Sequence, residues 1–279
     1  MDGKSCAMLR PSASSGCRAP KDCMKTLVAV TLFLWSAHVV FAQSFSDDFR
    51  GGKLDTSKWN VATYKSPDSK PGLNSGSYVP ESLDFSRGMV CIKVTQQKGG
   101  PDNILSYGGA VISKERFGFG TYELVMRMSS TSATPDGVGA ATSGAISSGF
   151  VFYNNSESEI DLEFLGNENA MWITNWQNAN PKNAPSGDVK QTDKTFNRFL
   201  ASEFHKYTLV WAPTSVKVYI DGTLVASHNQ HIPQSPAHII LQHRGTNSNE
   251  WGGMAAVGVT RYMYVRSVSF TPLKARGAS

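Results

Sequence analysis

The most informative segment of this sequence is a run in which acidic side chains alternate with apolar ones. Residues 158–165 read SEIDLEFL. Successive side chains of a β-strand point to opposite faces, so Glu159, Asp161 and Glu163 share one face and the apolar residues share the other. Neighbouring like charges repel, so a solvated structural strand has little reason to carry three carboxylates without a base between them. We therefore interpret this face as an active site.

Two carboxylates on such a face suit the hydrolysis of glycosidic bonds. The Cα atoms of Glu159 and Glu163 are expected about 13 Å apart, and glutamate side chains leaning together can close most of that distance. Retaining enzymes need carboxyl groups about 5–5.5 Å apart and inverting ones about 6.5–9.5 Å, so the spacing leaves both outcomes open. Three neighbouring acids cannot all ionise easily, so one pKa is expected to rise and give a protonated general acid beside an ionised nucleophile.

The rest of the chain predicts the strands that position these acids. Windows with period-two alternation recur, and clusters of Gly, Pro, Asn, Asp and Ser separate them. Asp221-Gly222 between two such windows is a strong hairpin signal. No window of about a dozen residues sustains the apolar stripe of a helix. The sequence therefore predicts an all-β sandwich of two antiparallel sheets.

The N-terminal part of the chain predicts a secretory signal. Lys25 precedes an apolar run of about a dozen residues that ends in the small-x-small sequence Val40-Phe41-Ala42. The run is shorter than the roughly 20 apolar residues that span a bilayer, although a buried helix or an uncleaved anchor would share the pattern. We expect an extension and signal at 1–42 and one domain at 43–279. The protein is then expected outside the cell, or in the periplasm of a Gram-negative host, without membrane association.

Removing this segment changes what the composition implies. The full chain has 27 Lys and Arg against 22 Asp and Glu, a formal net charge of +5. The segment holds five of the basic and two of the acidic residues, so the charge falls to +2. A nearly neutral chain gives no reason to expect a nucleic-acid partner. Of the four cysteines only Cys91 then remains, without a partner for an internal disulfide.

The acidic strand resembles the active-site strand of glycoside hydrolase family 16, in the Glu-x-Asp-x-Glu form of its lichenases, xyloglucan-modifying enzymes and fungal wall transglycosylases. Similar segments extend over nearly all of 43–279: FSDDF, LDTSKWN, FGFGTYELVMRM, ISSGFVFY, FHKYTLVWAP, VKVYIDGTLV, IPQSP and NEWGG. The resemblance implies a concanavalin-like jelly roll with a substrate cleft across one sheet. It also implies retaining hydrolysis of a β-glucan-type polysaccharide, with Glu159 as nucleophile, Asp161 orienting it by hydrogen bonding, and Glu163 as acid and then base.

The same resemblance implies sugar-binding positions outside the acidic strand. Glu123 matches a cleft acid, and Asn175 matches a sugar-binding asparagine. Phe150 and Phe152 match aromatic positions in the strand before the acids, and Trp251 matches a tryptophan after the last cleft strand. These five side chains are therefore expected to line the cleft.

Strand alternation separates Asn175 from its tryptophan neighbours. If Asn175 faces the cleft, Gln177 does so too, and Trp172 and Trp176 turn toward the core. We therefore interpret the two tryptophans as core aromatics rather than as residues that stack on sugar rings.

Several positions depart from the lichenase pattern. Val125 replaces an arginine, Glu157 a tryptophan and Gln177 a tyrosine, while Gln242 and Arg244 stand where the pattern has asparagine and tryptophan. We expect Gln177, Gln242 and Arg244 to contact sugar at these positions. Because several stacking positions have become polar or charged, we expect a glucan that is substituted or differs in linkage pattern.

No cofactor or metal ion is expected. Met263 stands where family members often carry a calcium-binding aspartate. His228 and His231 are spaced like metal ligands, but no cysteine or acid completes a zinc set. The expected partner is the polysaccharide substrate, and the protein is expected to act as a monomer.

Two other functions remain open at this stage. A transglycosylase would use the same acids, with a sugar hydroxyl in place of water resolving the glycosyl-enzyme. A non-catalytic carbohydrate-binding sandwich is compatible with the altered positions. The intact acid triad argues against the latter, because a lectin needs no proton donor.

Overall fold

The computed structural model describes residues 43–179, 190–196 and 199–274, and the predicted signal at 1–42 lies outside this part of the chain. A three-residue 3-10 helix spans Pro80–Ser82, and the other regular elements described are strands. Within the same ranges no helix is long and apolar enough to cross a bilayer. The strands are β1 (Phe45–Asp47), β2 (Trp59–Val61), β3 (Asn74–Tyr78), β4 (Leu83–Asp84), β5 (Val90–Lys98), β6 (Ile104–Phe117), β7 (Gly120–Ser130), β8 (Ala145–Tyr153), β9 (Ser158–Leu165), β10 (Ala170–Gln177), β11 (Lys190–Phe196), β12 (His205–Ala212), β13 (Ser215–Ile220), β14 (Thr223–His228), β15 (Ala237–Gly245) and β16 (Arg261–Pro272).

Alternating side chains explain why these segments form strands. In β9 the apolar set, Ile160, Leu162 and Phe164, is at most 1% exposed, and the acids between them lie on the other face. The hairpin predicted at Asp221-Gly222 joins β13 to β14. Its two residues have positive φ angles of 49° and 83°, as a two-residue type I′ turn requires. Both sequence predictions are confirmed.

The strands form two antiparallel layers that share one long strand. The first layer has the order β11-β10-β9-β8-β15-β6, and the second has the order β5-β16-β7-β12-β13-β14. The β6 strand pairs with β5 through its first residues and with β15 through the rest, so it passes from one layer to the other. The parallel pairing of β3 with β6 is an exception to the antiparallel pattern. The predicted two-sheet sandwich is confirmed, and the acidic strand lies inside the first layer.

The core fills the space between the two layers. The apolar face of β9 belongs to the same buried cluster as Leu124 and Met126 of β7 and Trp211 of β12. Gly149 of β8 lies so close to β7 that an added Cβ would be 2.8 Å from the Leu124 side chain and 2.9 Å from the Met126 sulfur. Burying one face of β8 and β9 leaves their other face as the floor of a cleft.

A second glycine sets the distance between strands of the cleft layer. A Cβ on Gly108 of β6 would lie 2.2 Å from the carbonyl oxygen of His243 and 3.1 Å from the Cα of Arg244. The neighbouring residue, Gly109, pairs with His243 in the sheet. Since β15 carries Gln242 and Arg244 on its cleft side, this close backbone approach also positions those two side chains.

We expect Gly108→Ala to destabilise the fold more than Gly149→Ala. The first methyl group would meet the His243 backbone, which cannot move without shifting β15, whereas the second would meet the ends of Leu124 and Met126, which can change rotamer. Urea denaturation should give a loss in the free energy of unfolding of about 2–3 kcal/mol for Gly108→Ala and about 1 kcal/mol for Gly149→Ala. Equal losses in the two variants would contradict the constraint assigned to the backbone contact.

Candidate active site

A cavity of about 600 Å³ opens over the acidic face of β9, and all three acids line it. Its walls come from strands on both sides of β9 and from the segment between β2 and β3. The other lining residues are Tyr64, Pro67, Tyr78, Phe150, Phe152, Ser156, Trp176, Lys190, Ile240, Gln242, Arg244 and Trp251.

The strand register decides which side chains accompany the acids. Glu159 pairs with Phe152 of β8 and with Trp176 of β10. Glu163 pairs with Ser148 of β8. Directly paired residues of antiparallel strands point to the same face, so these partners share the cleft floor with the acids.

Asp161 is the most buried of the three acids, with 5% of its surface exposed. Burial and the negative charges of Glu159 and Glu163 hold the pKa of Asp161 well above its ordinary value. A hydrogen bond of 3.0 Å from Trp176 Nε1 to Oδ2 acts in the opposite direction. Asp161 therefore keeps its proton well above the pH at which an exposed aspartic acid loses it.

Glu159 accepts the hydrogen bond that protonated Asp161 donates. Burial raises the pKa of Glu159, while hydrogen bonds from Ser156 and Asp161 lower it because they stabilise the carboxylate. The two acids thus share one proton and one negative charge, with the proton on Asp161 and the charge on Glu159. A carboxylate oriented in this way is suited to act as a nucleophile.

Glu163 makes a different contact, with a buried cation. Arg244 Nη1 donates to Glu163 Oε1 at 3.0 Å, and Arg244 Nε donates to Asp68 Oδ2. Burial alone would lower the pKa of Arg244, but the charges of Glu163 and Asp68 outweigh it and raise that pKa above its ordinary value. The guanidinium is therefore charged, and the carboxylate of Asp68 compensates for its burial while Glu163 accepts its other hydrogen bond.

Aromatic and amide side chains build the wall on the β15 side of the acids. Tyr78 donates from its hydroxyl to Gln242 Oε1 at 2.6 Å, and Gln242 Nε2 donates to Ser148 Oγ at 2.9 Å. The Tyr64 ring stands edge-on to Tyr78, with 5.4 Å between ring centroids. This wall offers apolar ring faces together with fixed polar groups, as ligand clefts commonly do.

The model of the family described as Glycosyl hydrolases family 16 matches residues 75–258. The chain belongs to this family. It is 28% identical over 205 residues to a beta-glucanase of Acetivibrio thermocellus, covering 72% of this chain and 54% of that protein. It is 30% identical over 146 residues to a beta-glucanase of Bacillus subtilis, covering 50% and 53% of the two chains. The chain therefore spans about half the length of the curated relatives it matches.

Solved structures support the same fold. A beta-1,3-1,4-glucanase (lichenase) from a mouse hindgut metagenome superposes with a TM-score of 0.65 at 20% identity, covering 83% of this chain and 100% of that one. The beta-glucanase of Bacillus licheniformis superposes with a TM-score of 0.64 at 22% identity, covering 83% and 99%. The predicted jelly-roll sandwich of family 16 is confirmed.

Several residues that the family 16 resemblance assigned to sugar binding lie in the cavity. Phe150 and Phe152 of β8 pair with Ile240 and His238 of β15 and face the same side as the acids. Gln242, Arg244 and Trp251 line the cavity as well.

The expectation that Asn175 lines the cleft is wrong. Asn175 pairs with Ile160, so it lies on the opposite face from the acids, and it is fully buried. Its Nδ2 donates to the carbonyl oxygens of Gln230 at 2.9 Å and His231 at 2.6 Å. Gln177 shares this face because it pairs with Ser158, so its expected sugar contact is wrong as well.

The expectation that Trp172 and Trp176 are core aromatics is wrong for the same reason. Trp176 lines the cavity and hydrogen-bonds to Asp161. Trp172 pairs with Glu163, and its ring packs against Trp251 with 5.4 Å between centroids. Both tryptophans therefore lie on the cleft face of β10.

Glu123 does not lie in the cleft either. It belongs to β7 in the second layer, where its carboxylate forms an exposed ion pair of 3.0 Å with Lys206 of β12. The assignment is wrong because the acidic face belongs to β9 in the first layer, and β7 packs behind that layer.

The positions considered for metal ions have other roles. Met263 is buried in β16. His228 is bonded through its two ring nitrogens to Asn175 and Asp193. Over the described ranges, no group of three or more His, Cys, Asp or Glu side chains is placed to hold a metal ion.

Sequence reasoning missed several residues of the site, notably the cavity residues Trp176 and Tyr64 and the Arg244 partner Asp68. The sequence did hold a signal for Trp176. A four-residue turn at 166–169 pairs Leu165 with Ala170, and the same antiparallel register pairs Glu159 with Trp176. Tyr64 and Asp68 belong to an irregular segment, and no periodicity in that segment indicates where its side chains lie.

We expect Asp161→Asn to become more stable than the wild type as the pH rises. The raised pKa of Asp161 means that the folded protein resists losing this proton, so the wild type loses stability from about pH 4, the ordinary aspartate value, upward. Asparagine has no proton to lose and keeps a donor for Glu159. The melting temperature and the free energy of unfolding, both measured between pH 4 and pH 8, should increasingly favour the variant toward the upper end of this range.

Asp84→Asn is the matched control for this prediction. Hydrogen bonds from Ser86 lower the pKa of Asp84, so the wild-type carboxylate contributes stability above about pH 4 that the variant lacks. Between pH 4 and pH 8 Asp84→Asn should therefore stay less stable than the wild type by a nearly constant amount, whereas the advantage of Asp161→Asn should grow as the pH rises. A constant offset for Asp161→Asn across this range would contradict the assignment of the shared proton.

Proposed function

We propose that this protein is an endo-acting β-glucan hydrolase that works by retaining double displacement. The observation that carries the proposal is that Glu159, Asp161 and Glu163 line one cavity from one face of β9, with Asp161 hydrogen-bonded to Trp176 and Glu163 to Arg244. Membership of family 16 and the beta-glucanases among its relatives support this reaction class. The cavity crosses several strands of one layer, which suits internal segments of a long chain.

In the first step, the Glu163 carboxylic acid donates its proton to the glycosidic oxygen. The Glu159 carboxylate attacks the anomeric carbon from the opposite side, the bond to the leaving sugar breaks, and a covalent ester forms. In the second step, the Glu163 carboxylate takes a proton from water, and the resulting hydroxide displaces Glu159. Two inversions at one carbon retain the β configuration.

Asp161 and Trp176 hold the nucleophile through this cycle. The protonated Asp161 directs a hydrogen bond at the Glu159 carboxylate, and Trp176 fixes the other oxygen of Asp161. Glu159 loses its negative charge when it forms the ester. When the ester is cleaved, the charge returns to the Glu159 carboxylate, to which Asp161 already donates a hydrogen bond. This preorganised donor favours departure of the nucleophile in the second step.

The substrate side of the proposal is a β-glucan bound by ring stacking and amide contacts. Tyr64, Phe150 and Phe152 supply apolar faces in the cavity, and Gln242 supplies a fixed amide. Such a surface suits the C–H faces and hydroxyl groups of a neutral pyranose chain. We further propose secretion through the signal at 1–42, which agrees with a polymeric substrate that cannot enter a cell.

The test of the proposal is a polysaccharide panel with mixed-linkage β-glucan, laminarin and xyloglucan as substrates. The wild type should release reducing sugar from at least one of them, and proton NMR should detect the β anomer as the first product. Glu159→Gln should lower the rate by about 10³-fold or more, because the nucleophile is lost. Glu115→Gln, on an exposed glutamate of β6 that does not line the cavity, should leave the rate unchanged.

Three results would contradict the proposal. A first product in the α configuration would exclude double displacement. Binding without release of sugar from any β-glucan would favour the carbohydrate-binding alternative. Products longer than the donor, formed when acceptor oligosaccharides are added, would instead place the protein with transglycosylases.

Azide distinguishes the roles of the two glutamates. With an activated aryl β-glycoside, Glu159→Ala plus azide should give the α-glycosyl azide, because azide replaces the missing nucleophile in a single inversion. Glu163→Ala plus azide should give the β-glycosyl azide, because azide attacks the ester on Glu159 in a second inversion. NMR of the azide products measures the configuration, and the reverse pairing of variants and products would exchange the two roles.

A further inference from the structure

Arg244 forms a buried link between the active-site strand and the wall of the cavity. It lies between Glu163 and Asp68, and only 7% of its side chain is exposed. Its Nη1 donates to Glu163 Oε1 at 3.0 Å and its Nε donates to Asp68 Oδ2. Asp68 supplies the negative charge that a guanidinium buried to this degree needs, so Arg244 can donate to Glu163 in its acid form as well as in its carboxylate form.

The loop that carries Asp68 is itself fixed to the sheet. Asn74 Nδ2 donates to the carbonyl oxygen of Asp68 at 3.1 Å and to that of Gly245 at 3.2 Å, so it ties the loop to the end of β15. Asp68 therefore holds Arg244 from a rigid position. An arginine side chain has many rotamers, and a fixed carboxylate at its Nε removes much of that freedom.

We propose that Arg244, held by Asp68, is a positioning residue that fixes the proton of Glu163 on Oε2. The proposal rests on the proposed function, in which Glu163 is the acid and then the base. It assigns Arg244 to the chemistry of the acid rather than to the stacking contact of the aromatic residue that the lichenase pattern has at this position.

The reason is the one-sided hydrogen bonding of arginine. A guanidinium carries donors and no acceptor, so a proton on Glu163 Oε1 would face the N–H of Arg244. The acid form therefore carries its proton on Oε2, and the carboxylate form receives the proton from water on the same atom. Without Arg244 the terminal torsion of Glu163 would be broad, and the proton would be distributed over both oxygens.

Leaving groups that differ in their need for a proton separate this role from a structural one. The substrates are phenyl and 2,4-dinitrophenyl β-glycosides of cellobiose and laminaribiose. Phenolate must be protonated as it leaves, whereas dinitrophenolate leaves without help. Because kcat/KM reports the steps up to cleavage of the first bond, it isolates the acid step from the base step.

Arg244→Gln should lower kcat/KM for the phenyl glycosides by about 10²-fold and for the dinitrophenyl glycosides by less than about threefold. Arg244→Lys keeps a charged donor, so its kcat/KM for the phenyl glycosides should be about tenfold higher than that of Arg244→Gln. Arg266→Gln breaks an exposed pair with Asp136 on the second layer and should change neither value.

Asp68→Asn keeps Arg244 beside Glu163 and tests whether Asp68 is needed to hold Arg244 in place. It also provides the test of the proposal if Arg244→Gln does not fold. It should lower kcat/KM for the phenyl glycosides by about fivefold and leave the dinitrophenyl values unchanged. Equal losses with both leaving groups in a folded variant would overturn the positioning role while leaving the proposed function in place. A wild type that cleaves neither aryl glycosides nor β-glucans would overturn the proposed function, and this inference with it.

Discussion

Three carboxyl groups share one face of β9, and their mutual repulsion is the constraint on which the site depends. The opposite face of the strand is core, so the strand cannot rotate to bring the acids into water. The charges must be removed or compensated where they stand. Asp161 keeps its proton, while Glu163 accepts a hydrogen bond from Arg244, whose own charge Asp68 balances.

Glu159 and Glu163 are the same residue type, but they receive hydrogen bonds from different groups. Glu159 accepts a hydrogen bond from a neutral acid, whereas Glu163 accepts one from a cation. The proposed retaining hydrolysis requires two unlike carboxyl groups, since one must attack while the other transfers protons. The two glutamates therefore differ in environment although their residue type is the same.

The rest of the fold supplies what this strand cannot supply alone. The second layer covers the apolar face of β9, and β8 and β10 contribute the neighbours of the acids through their register. The contact of Gly108 with the backbone of β15 brings Gln242 and Arg244 to the cleft. The loop before β3 then adds Tyr64 to the wall and Asp68 as a partner of Arg244.

Much of this arrangement could be predicted from local pattern. Alternation along residues 158–165 placed three acids on one face, and the Asp221-Gly222 turn was predictable because its φ angles favour that pair of residues. The predictions for Asn175 and Glu123 failed at the next level. Alternation states which residues of a strand share a face, but it does not state which face meets the cleft or to which layer the strand belongs.

The sequence by itself determined the all-β class and the acidic strand, because strand periodicity depends only on neighbours along the chain. The tertiary structure decided that Trp176 rather than Asn175 accompanies the acids, since that depends on hairpin register. It also decided that Arg244 and Asp68 reach Glu163. Those contacts join residues far apart in the chain, and only the packing of loop against sheet brings them together.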